Sequence, residues 1–138
     1  MVLRLDFVST REAEFSLKLN VQCAPAFLPI QYITEPQSRI QAYRRLAEVT
    51  TTDQLGSLRA AWRDRFGPLP EPAINLLMLT ELKLLGAARK MNVVEVRESK
   101  VMLTRGGDYI LLGGKFPRLE TQTPNQRLAE LATLIRSF

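Results

Sequence analysis

The chain has 138 residues, 46% of them apolar and 24% charged, with a net charge of +5; a chain of this size buries roughly two-thirds of its unfolded surface, so residues 1–138 are read as one domain that needs no metal or disulfide to hold its core. It has no histidine and one cysteine, Cys23, which excludes an internal disulfide, fits a reducing, cytoplasmic setting, and removes the commonest general base, zinc ligand and physiological-pH switch together. No apolar run approaches the roughly 20 residues of a membrane helix, and the stretch from Met1 to Asp6 is too short and too soon charged for a signal peptide.

Leu3, Leu5 and Phe7 alternate with Arg4, Asp6 and Val8, and Phe15, Leu17, Leu19 and Val21 alternate with polar residues. Both read as half-buried strands, joined as a hairpin through Ser9-Thr10-Arg11-Glu12. Pro25, Pro29 and Pro36 then punctuate an extended segment from Ala24 to Glu35. Proline cannot donate to a ladder, so this segment is expected to cross the surface. A first helix is expected to start near Ser38, with Ser38 and Gln41 as a capping box and Ile40, Tyr43, Leu46 and Ala47 on its buried face. Thr51 with Gln54 repeats the capping signal, and Leu55, Leu58, Trp62 and Phe66 form the stripe of a second helix. Gly67 suits a left-handed stop, and Pro68 forbids continuation. Pro70 and Pro72 open a third helix with the stripe Ile74, Leu77, Met78, Leu82, Leu85 and Ala88; Arg89 and Lys90 complement its dipole and Asn92 can cap it.

From Val93 the period becomes two. Val94 and Val96, Val101 and Leu103, and Ile110 and Leu112 mark three short strands, with turns at Glu98-Ser99 and Arg105-Gly106-Gly107-Asp108. Lys115 to Leu119 reads as a last strand. Thr123-Pro124-Asn125-Gln126 offers a capping box and a proline at the first helical position, followed by the apolar face Leu128, Leu131, Ala132, Ile135 and Phe138. N-terminal strands, three consecutive helices, an antiparallel meander and a C-terminal helix define an α+β class.

The chemistry of an enzyme is missing. Gly113-Gly114-Lys115-Phe116 fails as a phosphate loop, because Tyr109 stands where a glycine is needed and Phe116 where a hydroxyl must bind magnesium. Cys23 has no histidine partner and apolar neighbours, so it reads as a small buried side chain. Glu12 with Glu14, and Glu95 with Glu98, read as solvated charges. No catalytic, cofactor-binding or metal-binding residue is assigned, and no cofactor is expected. Trp62 and Phe66 at helical spacing read as core in preference to a base-stacking platform, as do Phe7, Phe15 and Phe27. No sheet shows the basic–aromatic interleaving of a single-strand binder.

The charges carry more. Asp64 falls near the end of the second helix, where the dipole disfavours an anion by about 0.3–1 kcal/mol. The expectation is a structural ion pair with Arg44 or Arg45 on the preceding helix, set against an exposed aspartate worth almost nothing. Arg44, Arg45, Arg59 and Arg63 are the candidate interface. They suit DNA phosphates without sequence preference, an acidic protein patch, or plain solubility.

The run Pro29-Ile30-Gln31-Tyr32-Ile33, the run from Arg39 to Ala47 that holds Tyr43-Arg44-Arg45-Leu46-Ala47, and Asp64-Arg65-Phe66-Gly67-Pro68-Leu69-Pro70-Glu71-Pro72 together resemble the C-terminal domain of bacterial transcription-repair coupling factors, the Mfd family. The resemblance begins near Ala26, continues through Leu82 to Ala88, and weakens over Val93 to Phe138. Two departures stand out: the family usually has acidic residues at Ile30 and Gln31, and a glutamate-rich second helix where Gly56-Ser57 and Ala60-Ala61 occur. The resemblance implies a part of a large ATP-driven DNA translocase that removes stalled RNA polymerase and recruits the repair protein UvrA. It implies a regulatory role for this part, docked on a UvrB-like module of the same polypeptide so that UvrA recruitment is masked and the motor restrained. The alternative is a basic accessory DNA-binding domain.

Overall fold

The computed structural model describes residues 2–6, 26–91, 93–121 and 123–138. Its elements run β1 (Val2–Asp6), α1 (Pro36–Glu48), α2 (Thr52–Phe66), α3 (Glu71–Ala88), β2 (Val93–Arg97), β3 (Lys100–Arg105), β4 (Asp108–Ile110) and α4 (Pro124–Arg136). The α+β class and the order of its elements match the expectation. The expected strand from Phe15 to Val21, its hairpin, Phe7, Phe15, Cys23 and Asn92 lie outside the described residues.

The strands form an antiparallel sheet in the order β1-β2-β3-β4. Val94 pairs with Leu103 and Val96 with Val101, so the alternating valines share one face. Leu103 continues that row to Ile110 on β4. The face packs on α3 and α4 through Leu79, Leu82, Leu85, Leu128, Leu131 and Ile135. Gly106 at φ +60° and Gly107 at φ +88° make the β3–β4 turn, a left-handed pair that residues with a Cβ rarely adopt. Lys115 to Leu119 does not become a strand. Only single bridges form, Lys100 to Arg118 and Leu112 to Lys115, because Pro117 has no N–H to extend a ladder.

A second core lies under the N-terminal segment: Leu28, Ile33, Ala42, Leu46, Leu55, Leu58, Trp62, Ala73, Leu76 and Leu77. Helix α3 belongs to both cores. Ala73, Leu76 and Leu77 face this second core, and Leu79, Leu82 and Leu85 face the core against the sheet. It is therefore buried around most of its circumference, whereas the sequence suggested a single stripe. Ile74 and Met78 of that stripe are half-buried and Ala88 is exposed.

Helix ends follow local chemistry where the signals are local. Thr51 Oγ1 accepts the Gln54 N–H at 3.1 Å, and Gln54 Oε1 accepts the Thr51 N–H at 3.3 Å, completing the expected box. Gly67 stops α2 at φ +96°. The other two boxes do not form. Pro36 at the first helical position starts α1 before Ser38 can cap it, and Thr123 of α4 makes no side-chain cap bond. Lys90, at φ +60°, ends α3. The Met91 N–H reaches the Gly86 carbonyl at 2.9 Å and the Lys90 N–H that of Ala87 at 3.0 Å, a Schellman stop with the buried Met91 as its apolar anchor. Arg89 then hydrogen-bonds the Arg136 carbonyl at 3.1 Å and ties the ends of α3 and α4 together.

Candidate docking surface

The residues that carry the family resemblance meet in space. The Pro29–Ile33 run turns on itself, with the Tyr32 and Ile33 N–H groups on the Pro29 carbonyl at 3.0 and 3.2 Å. This drives Leu28 and Ile33 into the core, so the segment is pinned and does not merely cross the surface. Tyr32 reaches the end of α2. Its hydroxyl donates to the Gly67 carbonyl at 2.8 Å and lies 3.2 Å from that of Trp62, and its ring meets Phe66 edge-on at 5.8 Å. Burial raises the Tyr32 pKa. From α1, the Tyr43 hydroxyl accepts the Leu28 N–H at 2.9 Å, and Arg39 donates to the Leu28 carbonyl.

This framework holds an apolar cleft open to solvent. Ile30, Thr34, Pro36, Arg39, Ile40 and Tyr43 line it, and it encloses about 350 Å³. Ile30 is 66% exposed, Ile40 53% and Tyr43 37%. The sequence placed Ile40 and Tyr43 on the buried face of α1. Of that face only Leu46 is buried, Ala47 being exposed as well; Ser38 and Ala42 join Leu46 instead, because α1 meets α2 through Ser38. Its Oγ accepts from Arg65 Nη2 at 3.3 Å. The helix is thus rolled, and two large apolar side chains are turned outward. Phe27, expected in the core, is 45% exposed.

Arg44, Arg45, Arg59 and Arg63 are all exposed. Arg44 follows Ile40 by one helical turn and does not line the apolar cleft. Arg45 lines the α1–α2 groove with Trp62 and Phe66, and Arg59 lines the α2–α3 groove with Leu77, Met78 and Glu81. The four therefore do not share one groove. Asp64 is exposed, and among the described residues no ion pair joins it to Arg44 or Arg45. The polar tie between α1 and α2 is made one residue later by Arg65, whose guanidinium also covers the Phe66 ring at 4.9 Å.

Sequence reasoning missed a second surface. Beside β3, basic and aromatic side chains do come together: Lys100 Nζ lies 4.3 Å from the Phe116 centroid, and Tyr109 meets the same ring at 5.2 Å. Their separation along the chain hid them, since it takes the fold-back at Arg118 to join them. Among the described residues, no group of three or more metal-ligating side chains gathers, and no helix is long and apolar enough to cross a membrane.

Three helices in series, a meander sheet and a closing helix make this an α+β domain of the kind seen in a crystal structure of the C-terminal domain of transcription-repair coupling factor. That likeness has a TM-score of 0.55 at 23% identity, over 59% of this chain and 51% of the other. A family model for the TRCF domain matches residues 23–108, and the chain belongs to that family. The transcription-repair-coupling factor of Borreliella burgdorferi is 32% identical over 95 residues, 69% of this chain but 8% of that protein. That of Haemophilus influenzae is 34% identical over 92 residues, 67% of this chain and 7% of the relative. That of Mycobacterium tuberculosis is 30% identical over 117 residues, 85% of this chain and 9% of the relative. The chain thus spans less than a tenth of the length of these curated relatives.

Proposed function

We propose that this chain is a non-catalytic regulatory domain of a transcription-repair coupling factor, which docks on the UvrB-like module of the same polypeptide. Docked, it covers the surface that recruits UvrA and restrains the ATP-driven DNA translocase; released, it frees both. The mechanism is occlusion, in which the docked state competes with partner binding and release follows from differential affinity.

The observation that carries this reading is the exposed cleft of Ile30, Ile40 and Tyr43. A fold that buries Leu28 and Ile33 completely, yet turns these side chains to water, has an apolar patch of the kind that marks an interaction site. Arg44, one helical turn beyond Ile40, with Arg45, Arg59 and Arg63, all exposed, supplies the polar part of a releasable interface with an acidic partner. Asp64, exposed and disfavoured by the helix dipole, adds an anion to the same exterior. RNA polymerase and UvrA are partners of the whole polypeptide, reached indirectly.

Deletion of this domain from a full-length coupling factor tests the reading. ATPase activity and UvrA binding are expected to rise together. Unchanged values for both would remove it.

A further inference from the structure

The β3–β4 hairpin and the segment after it build a surface independent of the α1 cleft. Leu103 and Ile110 pair toward the core, so the next pair, Thr104 and Tyr109, projects from the opposite face of the sheet. Residues 115–118 fold back on β3. The Val101 N–H meets the Pro117 carbonyl at 2.8 Å, and the Leu119 N–H meets that of Ser99 at 2.7 Å. Phe116 is thereby held edge-on to Tyr109, at 5.2 Å and 76°, with the Lys100 ammonium 4.3 Å from its centroid. Arg118 is steadied by Ser99 Oγ at 3.1 Å, and Lys115, three residues earlier, is exposed. Asp108 is the one carboxylate of β4.

These parts are not used alike. Phe116 is half-buried and pins the fold-back, which accounts for its contacts. Tyr109 is 56% exposed. β4 ends the sheet order, so no further described strand flanks it. A large flat ring, fixed at its edge by a second ring that carries a lysine, is an arrangement on which unpaired bases stack while phosphates meet nearby ammonium and guanidinium groups.

We propose that Tyr109, braced by Phe116 with Lys100 against that second ring and with Lys115 and Arg118 exposed on the same fold-back, is a stacking platform for single-stranded nucleic acid. Any base offers a π-face to the ring, so the site takes one or two bases without sequence preference and holds the adjoining phosphates by charge.

The test is fluorescence anisotropy of the 138-residue chain with a short labelled oligothymidylate, on the order of eight nucleotides, across about 50 to 200 mM salt. Binding is expected at the low end, weakening with salt by a log–log slope of about −0.7 for each phosphate neutralised. Tyr109→Ala is expected to weaken binding roughly tenfold or more, while Tyr109→Phe keeps it. The double variant Lys115→Ala/Arg118→Ala should flatten the salt slope, with circular dichroism confirming that each variant is folded. Absence of binding at the lowest salt would overturn the proposal. So would equal binding by Tyr109→Ala, or competition by polyglutamate as effective as that of the oligonucleotide.

Discussion

Tyr32→Phe isolates the contact that joins the two motif segments. The change removes one oxygen and keeps the ring. The hydroxyl makes one short bond, 2.8 Å to the Gly67 carbonyl, and a longer approach to that of Trp62. The Trp62 carbonyl lies within α2, so its helical bond remains. The Gly67 carbonyl, past the helix end, loses its hydroxyl partner in a half-buried place. A net hydrogen bond contributes about 0.5–1.5 kcal/mol, and leaving a partly buried acceptor unmet adds to that, giving about 1–2 kcal/mol in all. For a chain of this size that is a fall in melting temperature of roughly 3–6 °C. Trp62, the sole tryptophan and 3% exposed, reports the transition by fluorescence in a urea titration. Tyr32→Ala also removes the edge-on pair with Phe66 and, for this half-buried ring, should cost about 2–3 kcal/mol. The sign with pH follows from burial. The folded Tyr32 holds its proton above the ordinary value of 10.0, so its contribution is complete below that pH and is lost as pH rises through the folded value. Tyr32→Phe should remove this alkaline component. A Tyr32→Phe protein with an unchanged urea midpoint and the same alkaline profile would refute the argument.

Three further outcomes are expected. Burial alone would raise the Glu130 pKa, but N–H groups of Glu120 and Thr121, the Thr121 hydroxyl and the charge of Arg127 lower it overall; the stability this brings is present above the ordinary value of 4.5 and lost as pH falls through the folded value. Glu130→Gln should therefore be less stable by about 1–2 kcal/mol at neutral pH, with the gap closing in acid urea titrations. Leu82→Ala, at a fully buried position between α3 and the sheet, should cost about 2–5 kcal/mol by calorimetry. Gly107→Ala has open space around it but a φ of +88°, so backbone strain alone should cost about 1 kcal/mol in the same assay.

What was legible in the chain was what neighbours decide. Thr51 with Gln54, Gly67, and the glycine pair of the β3–β4 turn each act over a few residues, and all three behave as read. The alternating valines gave the sheet, because period two leaves only one register that buries them. The side of α1 that meets α2 was not legible. Ile40 and Tyr43 are apolar at helical spacing, yet the packed face is chosen by Ser38, which receives Arg65 from α2. The same holds for α3, where two cores share one helix and no single stripe exists. Asp64 was flagged by an unfavourable dipole, which shows that a residue is out of place but not where its partner stands. The basic–aromatic group at Lys100, Tyr109 and Phe116 depends on a fold-back held by two backbone bonds, and no periodicity announces it.

The central claim is that the outward apolar cleft of α1 is a docking face. Adding this chain to a coupling factor that lacks its own copy, and following ATPase activity and complex formation together, tests it most directly. The account predicts that the wild-type chain binds and lowers the ATPase rate, whereas an Ile40→Asp/Tyr43→Ala variant, still folded by circular dichroism, does neither. Equal binding and equal restraint by that variant would contradict it.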